Sequence, residues 1–221
     1  PMIKTCIFDL DGTLINSLPA IAHFGNTALS AYRFPTHETE KYKYFVGDGA
    51  AVLVHRMLGE YDTDENYKKV KAEYDRLYES DVLYDTFPYD GIKELLSNLK
   101  QNGIKIAVLS NKPHNVTSMV VAKLFGENTF DICFGQRDNI PKKPAPDGAL
   151  IICKEIGCTK DEVIFIGDTN VDIRTGKNAG FTTIGVLWGF RDENELKEAK
   201  ADYIVSSTDK ILDIVLNRKC E

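Results

Sequence analysis

Asp9 and Asp11 stand two apart at the end of a short apolar run, in the segment Asp9-Leu10-Asp11-Gly12-Thr13-Leu14. Two carboxylates so spaced can both point into one site if the chain leaves extended geometry there. Gly12 permits the tight turn, and its N–H can approach an oxyanion closely. A second acidic pair stands in Gly167-Asp168-Thr169-Asn170-Val171-Asp172, again behind an apolar run. Asp168 and Asp172 share a face if a helix begins near Asn170. Together the acids form a hard-oxygen donor set without His or Cys. Such a set suits Mg2+, which takes one or two carboxylates, waters and substrate phosphate.

These acids repel one another, by about 4 kcal/mol for two unit charges some 4 Å apart at an effective dielectric near 20. A phosphate dianion adds to that. The offsetting charges are expected to be Mg2+ and Lys143, in Lys142-Lys143-Pro144-Ala145-Pro146-Asp147. The two prolines stiffen the loop that aims this ammonium, while Lys142 reads as a solvated neighbour. Ser110-Asn111-Lys112 follows a further apolar run, and its hydroxyl and amide can donate to phosphate oxygens.

The elements that must position these residues follow from periodicity. Thr5–Phe8, Ile104–Leu109, Val163–Ile166, Thr182–Val186 and Tyr203–Val205 read as buried strands. Between them Gly91–Gln101, Asn115–Phe125, Asp147–Ile156, Val171–Asn178, Glu193–Lys200 and Thr208–Leu216 read as helices, with Asp90 as a cap and Gly103 and Gly157 as left-handed stops. Strand–helix–strand repetition with continuous apolar strands predicts an α/β fold, a Rossmann-like parallel sheet with helices on both faces. The segment 16–84 breaks the rhythm. Ser17 can cap a helix with Pro19 in its first turn, and Tyr67, Val70, Tyr74, Leu77 and Tyr78 fall at helical spacing. The expectation is a small all-helical cap domain over residues 16–84, inserted after the first strand, with residues 1–15 and 85–221 as the core and Asp85–Pro88 as the return hinge. Such an insert sits above the carboxyl ends of the strands, where parallel sheets place their sites.

The chain has 221 residues, 43% hydrophobic and 27% charged, with a net charge of −6. That is ordinary globular composition and disfavours a nucleic-acid polymer as partner, since such binders carry a basic face. No apolar run approaches the ~20 residues that span a bilayer, and no basic segment precedes an apolar one at the start, so neither membrane nor secretion is expected. Cys6, Cys133, Cys153, Cys158 and Cys220 contain no CxxC pair and read as small hydrophobes in a reducing cytoplasm. His23, His37 and His114 show no metal spacing and read as structural or exposed. Oligomeric state is not legible.

In order, the four motifs DxDGTL, Ser-Asn, Lys-Pro and GDTxxD resemble the haloacid dehalogenase superfamily, in its branch with a helical cap after the first strand. The motifs span Asp9 to Asp172. The resemblance implies a phosphatase of small-molecule phosphate esters using Mg2+. It implies Asp9 as nucleophile and metal ligand, Asp11 as general acid and base and a metal ligand through its backbone carbonyl, and Asp168 as a metal ligand. Ser110 and Lys143 would hold phosphate, with Gly12, Thr13 and Asn111 beside them, and Lys143 would also screen Asp9. Asp172 would touch metal-bound water or Lys143. Dehalogenases lack the second acid of the first motif, and transport ATPases carry Thr there. Beta-phosphoglucomutases read Glu-Asp-Ser in the last motif, with Gly at its far position. Tyr44-Phe45-Val46-Gly47-Asp48-Gly49-Ala50, Ser110-Asn111-Lys112-Pro113 and Gly185-Val186-Leu187-Trp188-Gly189-Phe190 are similar to phosphoglycolate phosphatases and their close relatives. A phosphomutase, a pyrophosphatase, a nucleotidase or a sugar phosphatase of the same superfamily is the alternative. Arg33, His55 and Arg56 are the candidate substrate contacts in the cap.

Overall fold

A computed structural model describes residues 2–217 of the chain; Cys220 lies outside them. In chain order the elements are β1 (Thr5–Phe8), β2 (Ile15–Asn16), α1 (Leu18–Ala31), α2 (Ala50–Leu58), α3 (Asp64–Ser80), β3 (Phe87–Pro88), α4 (Ile92–Gln101), β4 (Lys105–Pro113) and α5 (His114–Phe125). Then follow β5 (Ile132–Gln136), α6 (Asp147–Ile156), β6 (Val163–Gly167), α7 (Asn170–Ala179), β7 (Thr182–Val186), α8 (Glu193–Glu198), β8 (Tyr203–Val205) and α9 (Thr208–Val215).

Six strands form one parallel sheet in the order β5-β4-β1-β6-β7-β8. The fold is α/β, as the strand–helix rhythm predicts. Side chains alternate across the sheet. Cys6 and Phe8 join the core shared with Leu95, Leu99, Val120 and Ile211 of α4, α5 and α9. Ile7 faces the other way, against Ala149, Ile152 and Ala179 of α6 and α7. Among the described residues no helix is long and apolar enough to cross a membrane.

β5 was not among the expected strands. It is short, half-buried at the sheet edge and interrupted by Gly135, so it carries no strong apolar run. β4 runs four residues past the expected end at Leu109, because Gln136 of β5 pairs with Pro113 after a register shift. The Ser110-Asn111-Lys112 segment is therefore held in a strand end rather than a free loop. α4 begins behind Gly91 without a side-chain cap, so Asp90 does not serve there.

β2 and β3 pair antiparallel, Ile15 with Pro88 and Asn16 with Phe87. This two-residue ribbon is the exit and return of a helical insert made of α1, α2 and α3. In α3, Val70, Tyr74 and Tyr78 are buried at helical spacing, packed with Phe24 and Leu29 of α1 in the main core. Ser17 precedes α1 but makes no cap bond, since its hydroxyl donates to Asp11 instead.

Candidate active site

Asp9 leaves β1 with its N–H bonded to Ile166 O at 2.9 Å, so its side chain emerges at the carboxyl edge of the sheet. The chain then turns, with the N–H groups of Thr13 and Leu14 donating to Leu10 O. Gly12 sits at φ +88°, and a Cβ there would lie 2.3 Å from Asp168 Oδ2. Glycine is needed at this position both for its backbone and to let the β6 loop close on the β1 loop. A Cβ on Gly189 would meet Asp168 Cβ at 2.3 Å, so Asp168 is clasped between two bare backbones.

Four buried charges meet at these strand ends. Lys143 Nζ donates to Asp9 Oδ1 at 2.9 Å and to Asp172 Oδ1 at 2.7 Å. The other oxygen of Asp172 accepts from Asp168 N, Thr169 N and Thr169 Oγ1, each at 3.1 Å. Thr169 and Asp172 thus form a capping box at the start of α7. Asp168 Oδ1 accepts from Thr13 Oγ1 at 3.0 Å and its Oδ2 from Phe190 N at 2.9 Å.

One oxygen each from Asp9, Asp168 and Asp172 lie within 4.8 Å of one another. The donor set is all carboxylate, which fits a hard divalent cation. The electrostatics point the same way. Burial, then the Asp172 charge, push the Asp9 carboxyl well above the ordinary carboxylate range, with Lys143 only partly offsetting them. Burial, then Asp172, push Asp168 up to about 7, against the donors Phe190 N and Thr13. Burial alone would pull Lys143 down, but Asp172 and Asp9 outweigh it and hold the ammonium above its ordinary value. A cation among these acids would favour their ionised forms.

The expected phosphate-binding residues divide. Ser110 lines the cleft; among the described residues its hydroxyl oxygen accepts only from Lys112 N, at 3.1 Å, so its proton can be donated. Asn111 has a different task. Its Nδ2 donates to Gly47 O and Lys143 O, both at 3.0 Å, and its Oδ1 accepts from Lys143 N at 2.9 Å. Its side chain fixes the Lys143 loop and leaves nothing for phosphate. Thr13 is fully buried with its hydroxyl on Asp168, and the Gly12 N–H is bonded to Ile15 O at 2.9 Å. Neither of these two presents the expected donor to a ligand, because each closes the loop that carries the acids.

Asp11 lies apart from the three clustered acids. Its carboxylate accepts from Ser17 Oγ and from Lys112 Nζ at 2.9 and 3.1 Å. Lys112 also donates to Tyr78 OH of α3 at 2.8 Å. Sequence spacing gives no hint of this bridge between core and insert.

A cleft of about 290 Å³ lies between the strand ends and the insert, reached by Asp9, Asp11, Ser110, Lys112, Leu53, Tyr74 and Tyr78. Three consecutive carbonyls of the insert are tied to the core. Val46 O accepts from Arg191, Gly47 O from Asn111 and Asp48 O from Lys142, at 3.0, 3.0 and 2.7 Å. Arg33, His55 and Arg56, expected as substrate contacts, do not line this cleft. His55 stacks on Tyr67 and pairs with Asp62. Arg56 pairs with Asp48 at 2.7 Å, and Arg33 is exposed. The charges of His55 and Arg56 serve the insert's own structure. Of the remaining histidines, His37 bonds Met57 O and His23 stacks on Tyr84 within the insert, while His114 of α5 accepts from Gly135 N of β5 in the core.

The sequence and fold have close parallels among known proteins. The phosphoglycolate phosphatase of Haemophilus influenzae is 30% identical over 215 residues, covering 94% of this chain and 96% of that protein. The phosphoglycolate phosphatase of Pectobacterium atrosepticum is 29% identical over 216 residues, covering 96% of this chain and 92% of that protein. A crystal structure from Lactobacillus delbrueckii subsp. bulgaricus, provisionally assigned as a phosphoglycolate phosphatase, superposes with a TM-score of 0.93 at 30% identity, covering 98% of this chain and 99% of that one. A predicted phosphoglycolate phosphatase from Haemophilus somnus gives a TM-score of 0.89 at 28% identity, covering 96% and 97%. The family model for haloacid dehalogenase-like hydrolases matches residues 6–186. This chain belongs to the haloacid dehalogenase-like hydrolases.

Proposed function

We propose that the protein hydrolyses a small-molecule phosphate monoester, a phosphoglycolate-like ester, through an aspartyl-phosphate on Asp9. One observation carries the reading: a buried ammonium holds Asp9 Oδ1 at 2.9 Å beside the carboxylates of Asp168, just after β6, and Asp172, in the first turn of α7. The relatives named phosphoglycolate phosphatase support the choice of ester.

In this reading an Asp9 oxygen attacks phosphorus, and the bond from phosphorus to the ester oxygen breaks. Asp11 gives its proton to the leaving alkoxide. A water then attacks phosphorus, Asp11 takes the water's proton, and the bond to Asp9 breaks, releasing phosphate. Lys143 fixes the rotamer of Asp9 and screens its charge from the incoming dianion. Ser110 donates to a phosphate oxygen. Asp9, Asp168 and the backbone carbonyl of Asp11 are the residues that would hold Mg2+, with Asp172 beside them paired to the Lys143 ammonium. When bound, the ion would neutralise charge on the phosphoryl oxygens and draw the ester toward Asp9. The segment 16–84 acts as a cap that excludes bulk water and strengthens every charge interaction inside. Cys6, Cys133, Cys153 and Cys158 are free thiols, which supports a reducing compartment such as the cytoplasm.

The test is phosphate release from a panel of phosphate esters with Mg2+ and with excess EDTA. Turnover of small phosphate esters that is lost in EDTA and restored by Mg2+ is expected. Full activity in excess chelator would discard the metal assignment, and isomerised sugar phosphate without free phosphate would make the protein a mutase.

A further inference from the structure

We infer that Lys112 and Tyr78 form a subsite for an anionic group, a carboxylate, carried on the leaving alcohol close to the ester oxygen. This rests on the phosphatase reading above and assigns the residues that choose the substrate.

The cleft holds few cations. Among the described residues that line it, the basic side chains are Lys71 and Lys112. Lys71 is paired with Asp75, one turn along α3. Lys143 is turned to Asp9 and Asp172 and does not line the cleft. Lys112 is paired as well, but with Asp11 at the strand ends, so a ligand anion beside Asp11 would share its ammonium; its side chain is only 9% exposed. It sits at the seam between the strand ends and the insert, with Asp11 on one side and Tyr78 on the other.

Tyr78 supplies the second donor. Its oxygen accepts from Lys112 at 2.8 Å, and among the described residues its own proton has no acceptor. Burial, with the Asp11 charge beside it, pushes this phenol well above its ordinary value, so it remains an O–H. An ammonium and a phenol O–H therefore converge on the cleft side of Asp11. Asp11 is the group that meets the ester oxygen, so the anion these two donors grip is carried within a carbon or two of that oxygen. Of the other acids that line the cleft, Asp75 is held by Lys71, and Glu79 accepts from the amide of Asn115 and keeps its charge. Ile21, Leu53 and Val116 give the wall an apolar stretch, and among the described lining residues no other cation is present to bind an anion.

A site built to hydrogen-bond one substrate group discriminates strongly against analogues without it, since its buried donors are then left unpaired. The experiment compares phosphoglycolate with 2-hydroxyethyl phosphate, which replaces the carboxylate by CH2OH. The expected result for the unaltered protein is a preference for phosphoglycolate of about 100-fold in kcat/KM, the scale of one or two charge-assisted hydrogen bonds. Lys112→Met should bring that ratio to within about fivefold of one. Any rate loss from a misplaced Asp11 falls on both esters and cancels in the ratio. Tyr78→Phe keeps the ring and should cut the ratio about tenfold, which is the loss of a single such bond.

Ratios unchanged in both variants would make Lys112 a mere positioner of Asp11 and overturn the inference. So would an unaltered protein that shows no preference for the charged ester. Turnover of other phosphate esters but of neither of these two overturns the subsite and leaves the phosphatase reading standing. Turnover of no phosphate ester overturns both.

Discussion

Asp172 Oδ1 lies 2.7 Å from Lys143 Nζ, and both side chains are almost wholly buried. Asp172 is thereby tied at both ends, since its second oxygen caps α7. It holds the Lys143 ammonium where that ammonium can hold Asp9. This one carboxylate links the helix start, Lys143 and Asp9.

Asp172→Ala should therefore destabilise the protein and impair it. Removing one partner of a buried ion pair costs about 3–5 kcal/mol, and the lost cap about 1 kcal/mol. Relief of the repulsion on Asp9 and Asp168 offsets part of this, and Lys143 keeps Asp9. A net loss of about 2–4 kcal/mol is expected, read by urea unfolding, with kcat falling at unchanged Mg2+ requirement. Stability unchanged within about 0.5 kcal/mol, the scatter of ordinary surface substitutions, would contradict the arrangement.

Gly12→Ala should displace Asp168. The left-handed backbone costs about 1–2 kcal/mol for a residue with a Cβ, and the new methyl would overlap Asp168 Oδ2. A misplacement of this order in a catalytic group can cost about 100-fold in rate. The expected outcome is a folded, slightly less stable protein with at least that loss, measured as phosphate release. Wild-type kcat/KM in this variant would show that Asp168 need not occupy its observed position.

Stability should depend on pH and Mg2+ together. Asp168 is raised in the folded state to about 7 and Asp9 is raised too. Folding then keeps protons that the unfolded chain gives up. In EDTA their contribution is present below the ordinary carboxylate pKa near 4 and is lost as pH rises through about 7. Asp131 and Asp202, which are lowered, act oppositely and only at the acid end. Mg2+ bound by Asp9 and Asp168 would compete with their protons, so the rise in Tm on adding Mg2+ should grow between about pH 5 and pH 8. Thermal melts with EDTA and with Mg2+ measure it. An increment that shrinks over that window, or survives Asp168→Asn in full, would contradict the metal assignment.

Much of this was legible in the sequence because the chemistry stands at the ends of apolar strands. Asp9 follows Phe8 of β1 and Asp168 follows Gly167 of β6, and β1 and β6 are neighbours in the sheet. A motif after each of two adjacent parallel strands must converge with the other. The recipients of particular donors were not legible. The hydroxyls of Ser17 and Thr13 and the amide of Asn111 are all competent donors. Sequence gives their type, but only tertiary packing decides that they donate to Asp11, Asp168 and the Lys143 carbonyl. Lys112 and Tyr78 are 34 residues apart in the chain and meet only because α3 folds back over β4. β5 escaped notice because an edge strand half-buried around a glycine carries little apolar signal.

Phosphoryl transfer through Asp9 leaves a covalent trace on that side chain. The direct measurement is a rapid acid quench during turnover, followed by borohydride reduction and peptide mass spectrometry, which converts an acyl phosphate on aspartate to homoserine. Homoserine at position 9, absent from Asp9→Asn, whose turnover falls to background, is the predicted result. Homoserine at another acid, or phosphate release by Asp9→Asn at the wild-type rate, would contradict it.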